Sequence, residues 1–290
     1  MALRTPDERF AGLPGFPFQP HYLEWRGLRA HYLDEGKGER TTLCLHGEPT
    51  WSYLYRRMIP PFVASGARVV APDFIGFGRS DKPEDEALYT FGVHREYLLG
   101  FIEKLDLKRI TLVVQDWGGL LGLTLPMEMP ERFERLLVMN TTLGTGDVAL
   151  SEGFLAWRAY VAKNPDLACG KLLARTCPHL GAAEAAAYDA PFPDSSSKAG
   201  VRRFPQLVPE KADDPGAALS RQARDFLQKS WKGESRMAIG AKDPVLGPPV
   251  MNVLRSWIRN CPEPYVHAQG GHFLQEWGED IAREALNRWT

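Results

Sequence analysis

An aspartate stands where an apolar strand pattern gives way to a glycine-led helix. The run Ile110 to Val114 is apolar and β-branched, Gln115-Asp116 follow, and Trp117-Gly118-Gly119 open a helical pattern. Strand, very tight turn and helix in that order lift the turn residue above a sheet, where a nucleophile can meet substrate. The residue type then restricts the chemistry. A serine that displaced a leaving group from saturated carbon would form an ether, which water does not cleave. A carboxylate forms an alkyl ester, and water can attack its carbonyl carbon and restore the acid. Asp116 therefore points to alkyl halides or epoxides rather than to esters or peptides. Asp is also a favoured helix N-cap, so a capping role stays open. Val114 stands at the first glycine position of the G-x-S-x-G pattern, so the motif match is partial.

A base and an acid should follow the nucleophile in chain order. Gly270-Gly271-His272-Phe273 comes after the last strand pattern, and of seven histidines only His272 stands in such a place. It needs one ring nitrogen toward the ester and the other held by a carboxylate. Two positions could supply that carboxylate. One follows the strand after the turn, where the sequence has the uncharged Asn140. The other is Gly240-Ala241-Lys242-Asp243-Pro244, so Asp243 is the candidate; an aspartate before proline is also common in plain turns.

The surrounding elements are those required to hold these residues at one sheet edge. Tyr22 to Trp25 and Leu28 to Leu33 read as a hairpin about Arg26-Gly27. Strands are expected at Thr41 to Leu45, Arg68 to Ala71, Ile110 to Val114, Leu136 to Met139, Met237 to Ile239 and Tyr265 to Ala268. Helices are expected at 52–65, 89–104, after Asp116, at 219–231, 248–260 and 275–289. That alternation implies a mostly parallel central sheet with helices on both faces. The rhythm breaks between 144 and 214, where helical pieces (153–162, 168–174, 182–188) and proline-rich links replace strands. The expected organisation is a core of residues 1–143 and 215–290 with a helical cap of residues 144–214. Residues 1–20 read as an irregular arm. The glycine-rich loop 72–80 lacks the G-x-G-x-x-G spacing and is assigned to structure.

The chain has 290 residues, 44% hydrophobic and 24% charged, as in an ordinary globular protein. A net charge of -1 gives no general attraction to nucleic acid or to anionic membranes. No signal peptide and no apolar run long enough to span a bilayer are visible, and the four scattered cysteines form no C-x-x-C pair, so a cytoplasmic location is expected.

Taken together, His46-Gly47-Glu48-Pro49-Thr50-Trp51, Asp116-Trp117, Gly240-Ala241-Lys242-Asp243 and Gly271-His272-Phe273 resemble the haloalkane dehalogenases. The similarity runs from Arg4-Thr5-Pro6 nearly to the C-terminus and is greatest to the branch that hydrolyses 1,2-dichloroethane. The resemblance implies an α/β-hydrolase fold, Asp116 as nucleophile, His272 as base and Asp243 as its acid. It implies an oxyanion hole from the backbone N–H groups of Glu48 and Trp117. Indole N–H groups of Trp117 and, from the cap, Trp157 would bind halide, and Phe154, Phe192 and Pro205 would line the pocket. No metal and no cofactor are expected. The partners would be a small haloalkane, water and halide, with no nucleic acid or membrane, and the chain would act as a monomer. Between Asn140 and Phe154 the chain is shorter than in the dichloroethane enzyme, so substrate preference need not carry over.

A serine esterase is excluded by Asp116 at the turn, and other readings compete. An epoxide hydrolase would need cap tyrosines, for which Tyr160 and Tyr188 are available. A fluoroacetate dehalogenase would want arginines where Trp117 and Gly118 stand. A non-catalytic binding protein of the same fold would have no need of so complete a set.

Overall fold

The computed structural model describes residues 1–289. Among them the strands are β1 (Ala2–Leu3), β2 (His21–Trp25), β3 (Leu28–Glu35), β4 (Thr41–Leu45), β5 (Arg68–Pro72), β6 (Lys82–Pro83), β7 (Ile110–Gln115), β8 (Phe133–Met139), β9 (Glu234–Gly240) and β10 (Tyr265–His267). The helices are α1 (Ile59–Ala64), α2 (Phe91–Lys104), α3 (Trp117–Gly122), α4 (Glu152–Lys163), α5 (Cys169–Thr176), α6 (Ala182–Ala187), α7 (Ala199–Leu207), α8 (Ala217–Lys229), α9 (Pro248–Ser256) and α10 (Gly278–Arg288).

Eight strands form one sheet in the order β10-β9-β8-β7-β4-β5-β3-β2. Only β2 with β3 and β3 with β5 pair antiparallel; the remaining ladders are parallel. Burial explains why the central strands are apolar throughout. Leu112 and Val114 of β7 enter one buried cluster, and Val113 between them enters another. In β4, Leu43 and Leu45 divide from Cys44 in the same way. Successive side chains on a strand face opposite sides, so a sheet covered on both faces needs an uninterrupted apolar run.

The sheet also fixes the site. β7, β9 and β10 run parallel, so their C-terminal ends lie at one edge, and Asp116, Asp243 and His272 all follow those ends. In open α/β sheets this edge is where ligands bind.

Several expectations change in detail. The helix expected over 52–65 is split into a 3-10 turn at Ser52–Tyr55 and α1, whose first turn carries Pro60 and Pro61. Proline has no N–H to continue a preceding helix but fits a first turn. The arm at 1–20 is not wholly irregular, since β1 pairs antiparallel with β6. Between β8 and β9 there is no strand among the described residues, and α7 is a helix that the proline-rich sequence concealed, with Pro205 inside it. The terminal stretch is a 3-10 turn at Leu274–Trp277 followed by α10. All four cysteines are free, and no helix among the described residues is long and apolar enough to cross a membrane.

Candidate active site

Asp116 sits at φ 49° and ψ -125°, a backbone conformation that places it apart from both β7 and α3. Close packing around it accounts for two glycines. A Cβ on Gly118 would lie 2.0 Å from the Leu45 carbonyl oxygen, and one on Gly47 would lie 2.4 Å from the Asp116 Cβ. Val114 needs no glycine, because its side chain points into the core and is wholly buried. The turn is held by main-chain groups. Asp116 N–H donates to the Asn140 carbonyl at 3.0 Å, and its own carbonyl accepts from Gly119, Leu120 and the Thr141 hydroxyl.

The Asp116 carboxylate does not cap α3. Instead Oδ1 accepts from the backbone N–H of Glu48 at 2.8 Å, and Oδ2 lies 3.5 Å from His272 Nε2. The capping alternative therefore fails on geometry: the side chain is turned toward the sheet edge, not the helix.

His272 Nδ1 lies 2.9 Å from Asp243 Oδ2. That carboxylate is wholly buried, and Asn140 Nδ2 donates to the same oxygen at 2.8 Å while Val245 N–H donates to Oδ1 at 2.8 Å. Burial pushes the Asp243 carboxyl up, but His272, Val245 and Asn140 together hold it below the usual carboxylate range. Burial likewise pushes His272 down, yet Asp243 and Asp116 outweigh it and raise the imidazole to about 10.

Glu48 is buried, and its Oε1 has no hydrogen-bond partner. Burial, then the charge of Asp116, pushes its carboxyl well above the usual range; the Trp157 side chain and His272 act the other way. Trp157 is half-buried on α4 and stacks against Tyr160 at 6.0 Å. Its polar contact is thus with Glu48.

Trp117 is buried, lies 4.6 Å from the ring of Phe204 and lines a cavity of about 220 Å³ that begins at Asp116. Phe154 lines the same cavity, which is mostly apolar and continues past Leu246 and Trp257. Phe192, Pro205, Trp157, Glu48 and His272 are not among its lining residues. Phe192 packs edge-on against Phe77 at 6.4 Å, and the Pro205 carbonyl accepts from Arg158 at 3.0 Å. Tyr160 is largely exposed, and Tyr188 is buried with its hydroxyl on Glu276.

Sequence reasoning passed over two residues that touch the site. Asn140 was considered only as an acid position, yet it donates to Asp243. Gln115, just past the expected strand, is given no role by the sequence, yet it ends β7 and its amide reaches His272. A polar residue at the buried end of an apolar strand was the available signal for both.

A model of the alpha/beta hydrolase fold matches residues 42–279. The haloalkane dehalogenase of Psychrobacter cryohalolentis is 45% identical, over 97% of this chain and 95% of that protein. That of Mycobacterium marinum is 43% identical, over 99% of each. Among solved structures, the tetrameric haloalkane dehalogenase DpaA of Paraglaciecola agarilytica NO2 superposes with a TM-score of 0.98 at 50% identity, covering 100% of this chain and 99% of that one.

Proposed function

This chain belongs to the haloalkane dehalogenases of the α/β-hydrolase fold, hydrolases that cleave carbon–halogen bonds, and from that premise we propose which of its residues carry the reaction. The observation that supports the assignment is one linked set. Glu48 N–H meets Asp116 Oδ1, Oδ2 faces His272 Nε2, and Nδ1 meets Asp243.

Asp116 attacks the halogen-bearing carbon opposite the leaving group, and halide departs with the bonding pair. The product is an ester of Asp116. His272 Nε2 then takes a proton from water as the water oxygen adds to the Asp116 carbonyl carbon. The developing oxyanion faces the N–H of Glu48, with the backbone N–H of Trp117 as the second donor. Collapse breaks the bond to the alkyl oxygen, the alcohol leaves with the proton of the new carboxyl, and His272 returns its proton to solvent. Asp243 stabilises the imidazolium in between.

Trp117 supplies one halide donor, since an indole N–H donates and never accepts. Trp157 supplies the other once its indole exchanges Glu48 for the ion. Phe154 keeps the pocket apolar, and Phe192 and Pro205, which do not line the cavity, are left as packing residues outside it. The division into a core of 1–143 and 215–290 and a cap of 144–214 fits the strand-free stretch between β8 and β9. The partners are a haloalkane and water. Every group assigned lies on one chain, so a single protomer is the proposed catalytic unit, whatever the assembly; the similar DpaA is a tetramer. An epoxide reading is disfavoured because Tyr160 does not line the cavity at Asp116 and Tyr188 is engaged by Glu276.

The test is bromide release from 1,2-dibromoethane by the wild type and by Asp116→Ala. Release from the wild type alone supports the assignment; equal release from both removes Asp116 from the mechanism.

A further inference from the structure

Gln115 ends β7 one residue before the nucleophile, and the reaction described above makes no use of it. The side chain is wholly buried. Its Nε2 donates to the main-chain carbonyl of His272 at 3.1 Å and lies 3.1 Å from His272 Nε2. Its Oε1 accepts from Gln275, also wholly buried, at 3.4 Å. Chemistry fixes the orientation of this amide. A carbonyl oxygen only accepts, so the amide nitrogen must face it, and the same nitrogen has one further hydrogen for the ring.

That hydrogen distinguishes the two forms of the imidazole. With Nδ1–H committed to Asp243, a neutral ring offers a lone pair at Nε2, which takes the Gln115 N–H. An imidazolium has a hydrogen there instead, and two N–H groups would oppose one another. The acceptor that an imidazolium would want, Asp116 Oδ2, stands further off at 3.5 Å. The titratable groups facing the ring are Asp243, Asp116 and Glu48; the first two favour the imidazolium, and Glu48 would do so only when ionised, which burial and Asp116 oppose. Gln115 is the opposing contact.

We infer that Gln115 is a positioning residue that biases His272 toward the neutral imidazole, against the pull of the surrounding carboxylates, through its buried amide on Nε2 and on the carbonyl of the same residue. The inference rests on His272 being the base of ester hydrolysis. It carries an internal trade. When water gives up its proton, the ring's lone pair must turn from Gln115 to the water. The contact therefore favours hydrolysis at low pH, where it resists protonation, and does not favour it at high pH, where the ring is neutral anyway.

The measurement is single-turnover hydrolysis of the alkyl-enzyme across pH for the wild type, Gln115→Met and Gln115→Glu, with His272→Gln beside them. Gln115→Met removes the donor while keeping the shape. Its acid limb should move up by roughly 0.5–1 pH unit, the shift that one neutral hydrogen bond sustains, with the high-pH plateau kept or raised. Gln115→Glu puts an acceptor opposite Nε2 and should move the limb further in the same direction. An unmoved limb, or a uniform drop at every pH, overturns the inference and leaves Gln115 a packing residue. His272→Gln should hold the alkyl-enzyme at every pH; if it hydrolyses normally, the base assignment itself fails, whatever Gln115 does.

Discussion

His272 Nε2 and Asp116 Oδ2 stand 3.5 Å apart, close enough for charge to be felt and too far for a short hydrogen bond. The charge of Asp116 is one of the causes that raise His272 to about 10, and that charge disappears when Asp116 becomes an ester. The sign follows. Losing a nearby anion disfavours the imidazolium, so the pKa falls on alkylation and the ring becomes available as a base. The acid limb of hydrolysis should therefore lie at a lower pH than the titration of His272 in the free enzyme. Single-turnover rates against pH, set beside an NMR titration of the imidazole, check this. A rate flat through the imidazole range would contradict the base role.

Asn140 and Asp243 make a second testable pair. Asp243→Asn removes the charge that stabilises the imidazolium, and hydrolysis should slow by about 10³–10⁴ while alkylation persists and the alkyl-enzyme accumulates. Asn140→Leu leaves the Asp243 charge but takes away a buried donor, at a cost of about 1–3 kcal/mol in stability. Intact-mass analysis after substrate addition separates the two: a lasting adduct for the first, a short-lived one for the second, with thermal melts reporting the stability loss.

Glu48 should leave a signature in stability rather than rate. Its folded pKa is raised, so between the unfolded value of 4.5 and the higher folded value the native state binds more protons than the unfolded chain. Stability then falls as pH rises through that window. Glu48→Gln keeps the shape, the backbone N–H to Asp116 and an acceptor for Trp157, and should flatten this slope with turnover little changed. Glu48→Ala should also alter bromide affinity, because Trp157 loses its partner. Melting temperature against pH and bromide quenching of tryptophan fluorescence read the two effects; an unchanged slope in Glu48→Gln would place the proton elsewhere.

Much of this architecture is legible along the chain because single residues carry it. The apolar run into Asp116 marks the central strand, since both sheet faces are covered, and the glycines after it mark where α3 must pass the Leu45 carbonyl. Asp243 and His272 are legible because each follows a strand pattern in a turn. What is not legible depends on packing. Proline content hid α7, whose Pro205 is accommodated within the helix. Trp157 reads as a pocket donor, but its contact with Glu48 joins residues far apart in the chain and is set by tertiary packing. Gln115 is invisible as a partner of His272 because 157 residues separate them and only the sheet joins their ends.

The cavity gives a prediction about substrate length. It runs from Asp116 and Trp117 past Leu246 and Trp257 to Val148 and Val253, both more than 40% exposed, so those two valines stand at its mouth. With about 220 Å³ of mostly apolar space, a terminal haloalkane can place its halogen at Trp117 and its tail toward α9. Each methylene buried there contributes about 0.8 kcal/mol, roughly a fourfold gain in kcat/KM per carbon until the mouth is reached. Val253→Trp would narrow that mouth far from the reacting atoms. It should lower kcat/KM for 1-bromohexane by about tenfold or more and leave 1,2-dibromoethane within about twofold, because the short substrate ends before the obstruction. Steady-state kinetics on the two bromides give the ratio. Equal losses on both would mean that substrates enter by another route and that the tail does not lie along α9.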